Sequence, residues 1–460
     1  MTKTYRRIAP SNNVLWILFA GLLTVGCAED SGDDGAGDDN TGDDGASDGD
    51  ADNGASISVQ ADQDGDQETC SDDLAEDIFR FSLCSCYDAV SMGVLTTGSF
   101  DSLIDRFTLS DLDFDDFGAA VGVNHDLSVP GVLSVGGSAF LAGPNGVALP
   151  GLTTVQGDLK VDGNVSFAGV LNVARDLVAG KDFVNFGDGN IVRDLYLGGI
   201  MALPFLTVPG GSIISESVEV PPPCACDPED ILDIAGIVED ARNDNQNDVI
   251  AIHENSLLAI VGYRDLELPP GRYYFTNIAG AGKLTLKVTG HTALFIEGDM
   301  LLAGDLEIET DDDATLDVFI AGDFQIAGAN DFGSIARPAA VRFYVAGSND
   351  VTLTGYTAFV GNLYAPNANV ILTGASYIFG AIFAGNFLAM GDTGIYYDRS
   401  INQSGDDCED DGDDDGDDDT DEDTEDTCIR YGDDCVVDAD CCEPLVCTDG
   451  ECRELDVPLV

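Results

Sequence analysis

The chain has 460 residues, of which 85 are acidic and 19 basic, giving a formal net charge of −66. That imbalance repels nucleic acid and anionic lipid headgroups and argues against both as partners, while the length allows two or three domains with real cores. Thirteen cysteines fit an oxidising compartment better than a reducing one.

In chain order, residues 1–26 come first. Lys3, Arg6 and Arg7 form a basic head, an apolar run covers residues 14–25, and small residues lead into Cys27. The run is too short to span a bilayer and has the length of a signal-peptide core. It resembles a bacterial lipobox, which implies cleavage before Cys27 and a diacylglycerol on its thiol. Ala28 follows rather than an aspartate. We therefore expect a lipid-anchored protein of the outer membrane, on its periplasmic or cell-surface side. Residues 27–69 read as the tether: 28–56 contain no basic residue and almost no side chain larger than Ala that could be buried. A segment of that kind cannot offset its ordering entropy, and its self-repulsion extends it. Residues 404–427 have the same composition and read as a second acidic linker.

Between the two tracts the sequence repeats itself. VGGSAFLAG begins at Val135, VQGDLKVDG at Val155, VARDLVAG at Val173 and IVRDLYLGG at Ile191. Asp158, Asp176 and Asp194 recur at equal intervals, each before a leucine. Further on, FIEGDMLLAG ends at Gly304, FIAGDFQIAG at Gly328 and FAGNFLAMG at Gly391, with longer copies ending at Gly355 and Gly374. Each copy reads as strand, tight turn, strand, with alternate apolar residues facing inward. Such a unit buries its face only by stacking on copies of itself. The expected fold is all-β, a right-handed β-solenoid (β-helix) with one short helix, its Asp and Asn residues aligned as a ladder. A β-sandwich also has many short strands with Gly turns, but it does not repeat a turn motif at fixed spacing. The turn glycines, Gly322 among them, are expected at positive φ.

The expected domains are a first array over 70–226, with a leading cysteine-containing segment, and a helix plus second array over 227–403. The helix is read at 226–242, with Asp227 as N-cap, Pro228 at the first position, and Ile231, Ile234, Ile237 and Val238 as its apolar stripe. Its expected role is a plug or connector between the arrays. Cys84 and Cys86 (CSC) and Cys224 and Cys226 (CAC) bound the first array, and the cysteines of a CxC rarely pair with each other. We expect them to bond across, in an order the sequence leaves open.

From Phe79 to Asp398 the landmarks LCSC (83–86), VGVN (121–124), PPPCAC (221–226), LPPGRYYF (268–275), NLYAPNANV (362–370) and IYYD (395–398) stand out. With these the chain resembles a domain of unknown function of deltaproteobacterial, especially myxobacterial, surface lipoproteins. The resemblance implies a β-helix in the style of bactofilins and ice-binding domains, with no established activity. Related chains often end in IHYD; Tyr396 stands in place of that histidine.

Residues 428–460 form the last module. Cys428, Cys435, Cys441, Cys442, Cys447 and Cys452 allow fifteen pairings, and so short a segment folds only when covalently stapled. The spacing resembles the inhibitor cystine knot and the Dickkopf-type cysteine-rich motif. The knot resemblance implies Cys428–Cys442, Cys435–Cys447 and Cys441–Cys452.

Candidate chemistry is sparse. Polysaccharide lyases are β-helices with acidic clusters, and Asp299, Asp323 and Asn386 offer such a row, but they recur at one turn position, as structural residues do. His125, His253 and His291 are far apart, and no nucleophile elbow, zincin motif or phosphate loop appears. NDNQND (243–248) gathers oxygens suited to a hard cation, which makes Asp244 and Asp248 candidate calcium ligands. No catalytic residue is assigned. Calcium is the one cofactor considered, and the partners expected are the membrane, through the anchor, and an extracellular glycan or another surface protein. The function expected is a non-enzymatic structural or adhesive scaffold presenting a small disulfide-rich head, with a carbohydrate-active β-helix enzyme or a calcium-dependent glycan binder as the alternatives.

Overall fold

The computed structural model describes residues 58–60, 68–103, 119–202, 206–207, 211–328, 330–354, 357–402, 445–448 and 451–454. Cys27, the tract 404–427 and most of the cysteine-rich tail lie outside the described residues. In the tail only the backbone of one hairpin is described, Leu445–Thr448 against Glu451–Glu454, with Cys447 directly opposite Cys452.

Residues 83–398 form a β-solenoid of about 13 turns. At ordinary strand spacing that is roughly 60 Å along its axis. Each turn contributes short strands to three faces, and neighbouring turns pair in parallel. That parallel pairing rules out the sandwich, whose sheets are antiparallel. The alternation read from the sequence is what builds the core. In Ala139–Leu141 and Leu159–Val161 the outer residues of each triplet point inward and are buried, and the middle one points out. Leu159, Leu177 and Leu195 are in register and no more than 1% exposed. Burying one such side chain is worth about 1.5–3 kcal/mol, a gain available only once the next turn is in place.

The order of the turns is not the order of the chain. The winding starts in the middle of the rod, at Leu83–Ser85, Ala89–Ser91 and Val94–Phe100, and proceeds to Ile213–Ile214 at one end. The chain then returns to the starting turn, where Cys84 bonds Cys224 and Cys86 bonds Cys226. It reappears at the opposite end in Tyr263–Leu268 and winds back toward the middle. There Asp392–Asp398 pairs in parallel with Val94–Phe100 over its whole length. Ile382–Met390 likewise pairs with Leu83–Ser85 and Ala89–Ser91. The last turn of the second array is thus the neighbour of the first turn of the first array, and one continuous solenoid results.

Two short helices flank this body. Helix α1, Ser71–Ile78, has no counterpart in the sequence reading. Helix α2 is Ile234–Ala241, shorter than expected and displaced toward the C-terminus. Its N-cap is Asp233, whose side chain accepts from the Gly236 amide, and not Asp227. Asp227 instead accepts the amides of Asp230 and Ile231 through its carbonyl, in a separate turn that leaves Ile231 outside the helix. The helix is not a plug either: Ile234, Ile237, Val238 and Ala241 pack on the outside of the second array.

Glycine also works differently from the expectation at Gly322. Its φ is not positive. A Cβ there would come within 2.4 Å of Asp299 Oδ1 and 2.6 Å of the Gly298 carbonyl. The constraint is the stacking of one turn on the next. Gly391, by contrast, does take a left-handed φ of 142°.

Candidate functional site

The acidic and amide residues flagged in the sequence lie along two corners of the solenoid. On one corner the side-chain oxygen of each turn accepts the backbone N–H of the equivalent residue in the next. Asn277 accepts from Asp299 at 2.8 Å, Asp299 from Asp323 at 2.9 Å, and Asp323 from Asn349 at 3.2 Å. The line continues through Asp350, Asn369 and Asn386, crosses the junction to Asp88 and Asp126, and resumes at Asn164 and Asp182. Asp299, Asp323 and Asn386 are therefore three rungs of one structural ladder. A second corner repeats the device with Ser138, Asp158, Asp176, Asp194 and Ser212.

The NDNQND segment is also absorbed by backbone pairing. Asn247 is 8% exposed, donates to the Tyr274 carbonyl at 2.6 Å and accepts its amide at 3.0 Å. Gln246 accepts the Arg272 amide at 2.8 Å. Asp244 is largely exposed and sits 3.7 Å from Arg272, and Asp248 caps a turn through its carbonyl. Among the described residues, no three His, Cys, Asp or Glu side chains gather at metal-binding distance. The histidines are equally dispersed: His125 packs edge-on to Tyr87, His253 accepts the Asn255 amide, and His291 shares a hydrogen bond with Thr315.

Two buried polar sites stand out. Arg342 and Asp317, in register on adjacent turns, form a two-pronged ion pair at 2.6 and 2.7 Å, with Arg342 0% exposed. At the junction, Asp398 accepts the amides of Ser102, Ser400 and Ala339 and the Ser102 hydroxyl, at 2.8–3.3 Å. Burial raises the Asp398 carboxyl above the usual carboxylate range despite those donors. Tyr397 beside it donates to the Phe79 carbonyl at 2.6 Å and is likewise raised by burial. Tyr396 is 5% exposed, stacked on Tyr377 and tilted against Phe379.

The feature that the sequence does not announce is a column of outward side chains on the first face. Starting from the second array it reads Tyr274, Phe295, Phe319, Tyr344, Tyr364 and Phe383. After the junction it continues with Cys84, Gly122, Phe140, Lys160, Val178, Tyr196 and Ile214. Helix α2 and α1 seal the aromatic half: Phe295, Phe319 and Tyr344 are 0% exposed, with Phe319 stacked on both neighbours. Tyr274 donates to Glu297 at 2.7 Å and accepts from Arg242. Tyr364 accepts the Leu232 amide, and burial pushes its phenol up to about 12. Among the described residues, the other half is crossed by the returning segment 218–223, which leaves a groove of about 570 Å³. Phe81, Phe140, Lys160, Asp176 and Tyr196 line it opposite Pro221–Pro223.

Residues 225–404 match the model of a domain of unknown function (DUF7305). The match takes in α2 and the whole second array and stops short of the first. No curated protein and no solved structure matches the chain. The fold therefore defines the class, a β-solenoid whose second array matches that domain's model.

Proposed function

We propose that this protein is a non-enzymatic surface lipoprotein, anchored in the outer membrane through Cys27, whose solenoid is a rigid structural or adhesive scaffold. In this reading the acidic tract after Cys27 holds the solenoid off the membrane, and the tract 404–427 carries a small disulfide-knotted head. The observation that supports it is the fate of the polar residues. Asp158, Asp176 and Asp299, with Asn277, are rungs of ladders, each with a side-chain oxygen spent on the amide of the next turn. Ladders of that kind stiffen a rod; an active site needs groups that converge on one point. Among the described residues no helix is long and apolar enough to cross a membrane.

Two measurements test it. Fractionation with a radiolabelled fatty acid should place wild type in the outer membrane and leave Cys27→Ser unlabelled; recovery in the inner membrane would count against the anchor assignment. The purified protein, incubated with acidic polysaccharides with and without calcium, should release no unsaturated or reducing ends. Activity abolished by Asp299→Asn or Asp323→Asn in a folded protein would replace the scaffold with an enzyme.

A further inference from the structure

We propose that the groove between the first array and its returning segment binds a neutral oligosaccharide, deepening the adhesive reading and resting on it. Its floor is a stretch of the outward column, Phe140, Lys160, Val178 and Tyr196, in register on four successive turns, with Val178 buried and the other three half-buried. That floor is about 14 Å long at ordinary strand spacing. Phe81 closes one end, edge-on to Phe140 with ring centres 6.0 Å apart.

The wall is a stiff strip of chain, with its Val220 buried as Val178 of the floor is. Pro221, Pro222 and Pro223 fix its backbone, and the residues after them are tied down at the starting turn. Cys224 and Cys226 are both disulfide-bonded there, and Asn124 exchanges two hydrogen bonds with the Cys224 backbone, at 2.9 and 3.0 Å. The same column is handled differently in the second array, where a helix packs down and removes the rings from solvent. Phe140 and Tyr196 stay half-buried. A gap held open by three prolines and two disulfides, over rings that the other half seals, is a preformed cleft.

The lining selects the occupant. Aromatic rings pack against the C–H faces of sugar rings, and a few polar groups fix their hydroxyls. Lys160 lies over the Phe140 ring, 5.4 Å from its centre, and 3.4 Å from Asp158, so its charge is already answered while it can still donate. Asp158, Asp176, Asp194 and Glu216 surround Tyr196; slight burial first, then their charges, raise its phenol above the usual range. An anionic glycan meets that negative end unfavourably, and a neutral one does not. A peptide that binds by adding a strand would need a free strand edge, and the floor strands of Lys160 and Val178 are paired on both sides.

The test is calorimetric titration of the purified full chain with a tetramer of β-linked N-acetylglucosamine, and with an oligogalacturonate of equal length. The neutral tetramer should bind and the anionic one should not. Tyr196→Ala and Phe140→Ala should each weaken binding at least ten-fold, whereas Tyr87→Ala, an exposed ring outside the groove, should not. Val218→Trp, which fills the groove from its wall and leaves the floor residues unchanged, should abolish binding and serves should either floor variant fail to fold. Binding that all three groove variants retain would overturn the groove and leave adhesion intact. No binding of the tetramer, in a protein that still adheres to isolated cell walls, would do the same. Loss of both would bring down the adhesive reading as well.

Discussion

At the scale of single residues, the solenoid places its demands on turn contacts and on two buried charges. Gly322 faces the backbone of the turn below, so Gly322→Val should cost about 2–3 kcal/mol in denaturant unfolding, by overpacking. The aspartates behave otherwise. Asp158, Asp176 and Asp194 repeat a negative charge on successive turns, and only one oxygen of Asp176 serves the Asp194 amide, at 2.8 Å. Asp176→Asn keeps that acceptor and removes the central charge, so it should be neutral or slightly stabilising; Asp176→Ala strips the acceptor and should cost about 1 kcal/mol. Arg342 is the opposite case. Arg342→Met takes the guanidinium away from the buried Asp317 carboxylate and should cost about 3–5 kcal/mol, most of it recovered by adding Asp317→Leu. If the single and double variants unfold at the same denaturant concentration, the pair does not work in this way.

At the scale of elements, the helices cover the aromatic half of the outward column and make a second core outside the solenoid. Helix α2 presents Ile237 and Val238, 3% and 2% exposed, to the aromatic ladder. Ile237→Ala should therefore lower stability by about 2–4 kcal/mol, and Asp233→Ala by about 1 kcal/mol through the lost cap. Equal, negligible effects in thermal melts would mean that the helix is a bystander. The disulfides should be redundant. Each closes a loop of sequence separation 140, but once one is closed the other constrains little more. Cys84→Ser with Cys224→Ser should cost little, whereas removing both pairs should cost about 4 kcal/mol and release the wall of the groove.

At the scale of the molecule, the junction decides what folds alone. A fragment of residues 225–404, the span of the domain match, would lose the strands that pair with Asp392–Asp398 and Ile382–Met390. It should aggregate through that open edge when expressed by itself, and become soluble when residues 70–226 are co-expressed. A soluble, two-state fragment would show the arrays to be independent. Acidity should act on the whole in one direction first. The raised Asp398 carboxyl holds its proton to higher pH in the folded than in the unfolded chain. Its penalty is thus full above the raised value and fades as pH falls toward the ordinary carboxylate range. Partial neutralisation of a net charge of −66 works the same way. Glu307 opposes this lower down: its hydrogen bond from Lys283, then that from Thr285, depresses its carboxyl, and that support is lost as pH falls through the depressed value. The melting temperature should rise from pH 7 to about pH 5 and fall on stronger acidification.

The sequence by itself determined the parts that depend on near neighbours and on period. Alternating apolar residues, recurring turns and aspartates at equal intervals suffice for a stacked β-solenoid, because each turn repeats one local unit that is buried only by another. Composition likewise marks the two acidic tracts as unlike the rest. What it could not contain is the sequel to one turn in space. That Asp392–Asp398 lies beside Val94–Phe100, and that Cys84 meets Cys224 rather than Cys226, are long-range pairings among chemically equivalent strands and cysteines. Nor does periodicity say which outward residues will be covered. Phe140 and Phe319 occupy the same column, and only the packing of α2 on one half and the stiff return on the other makes the first the floor of a cleft and the second part of a core.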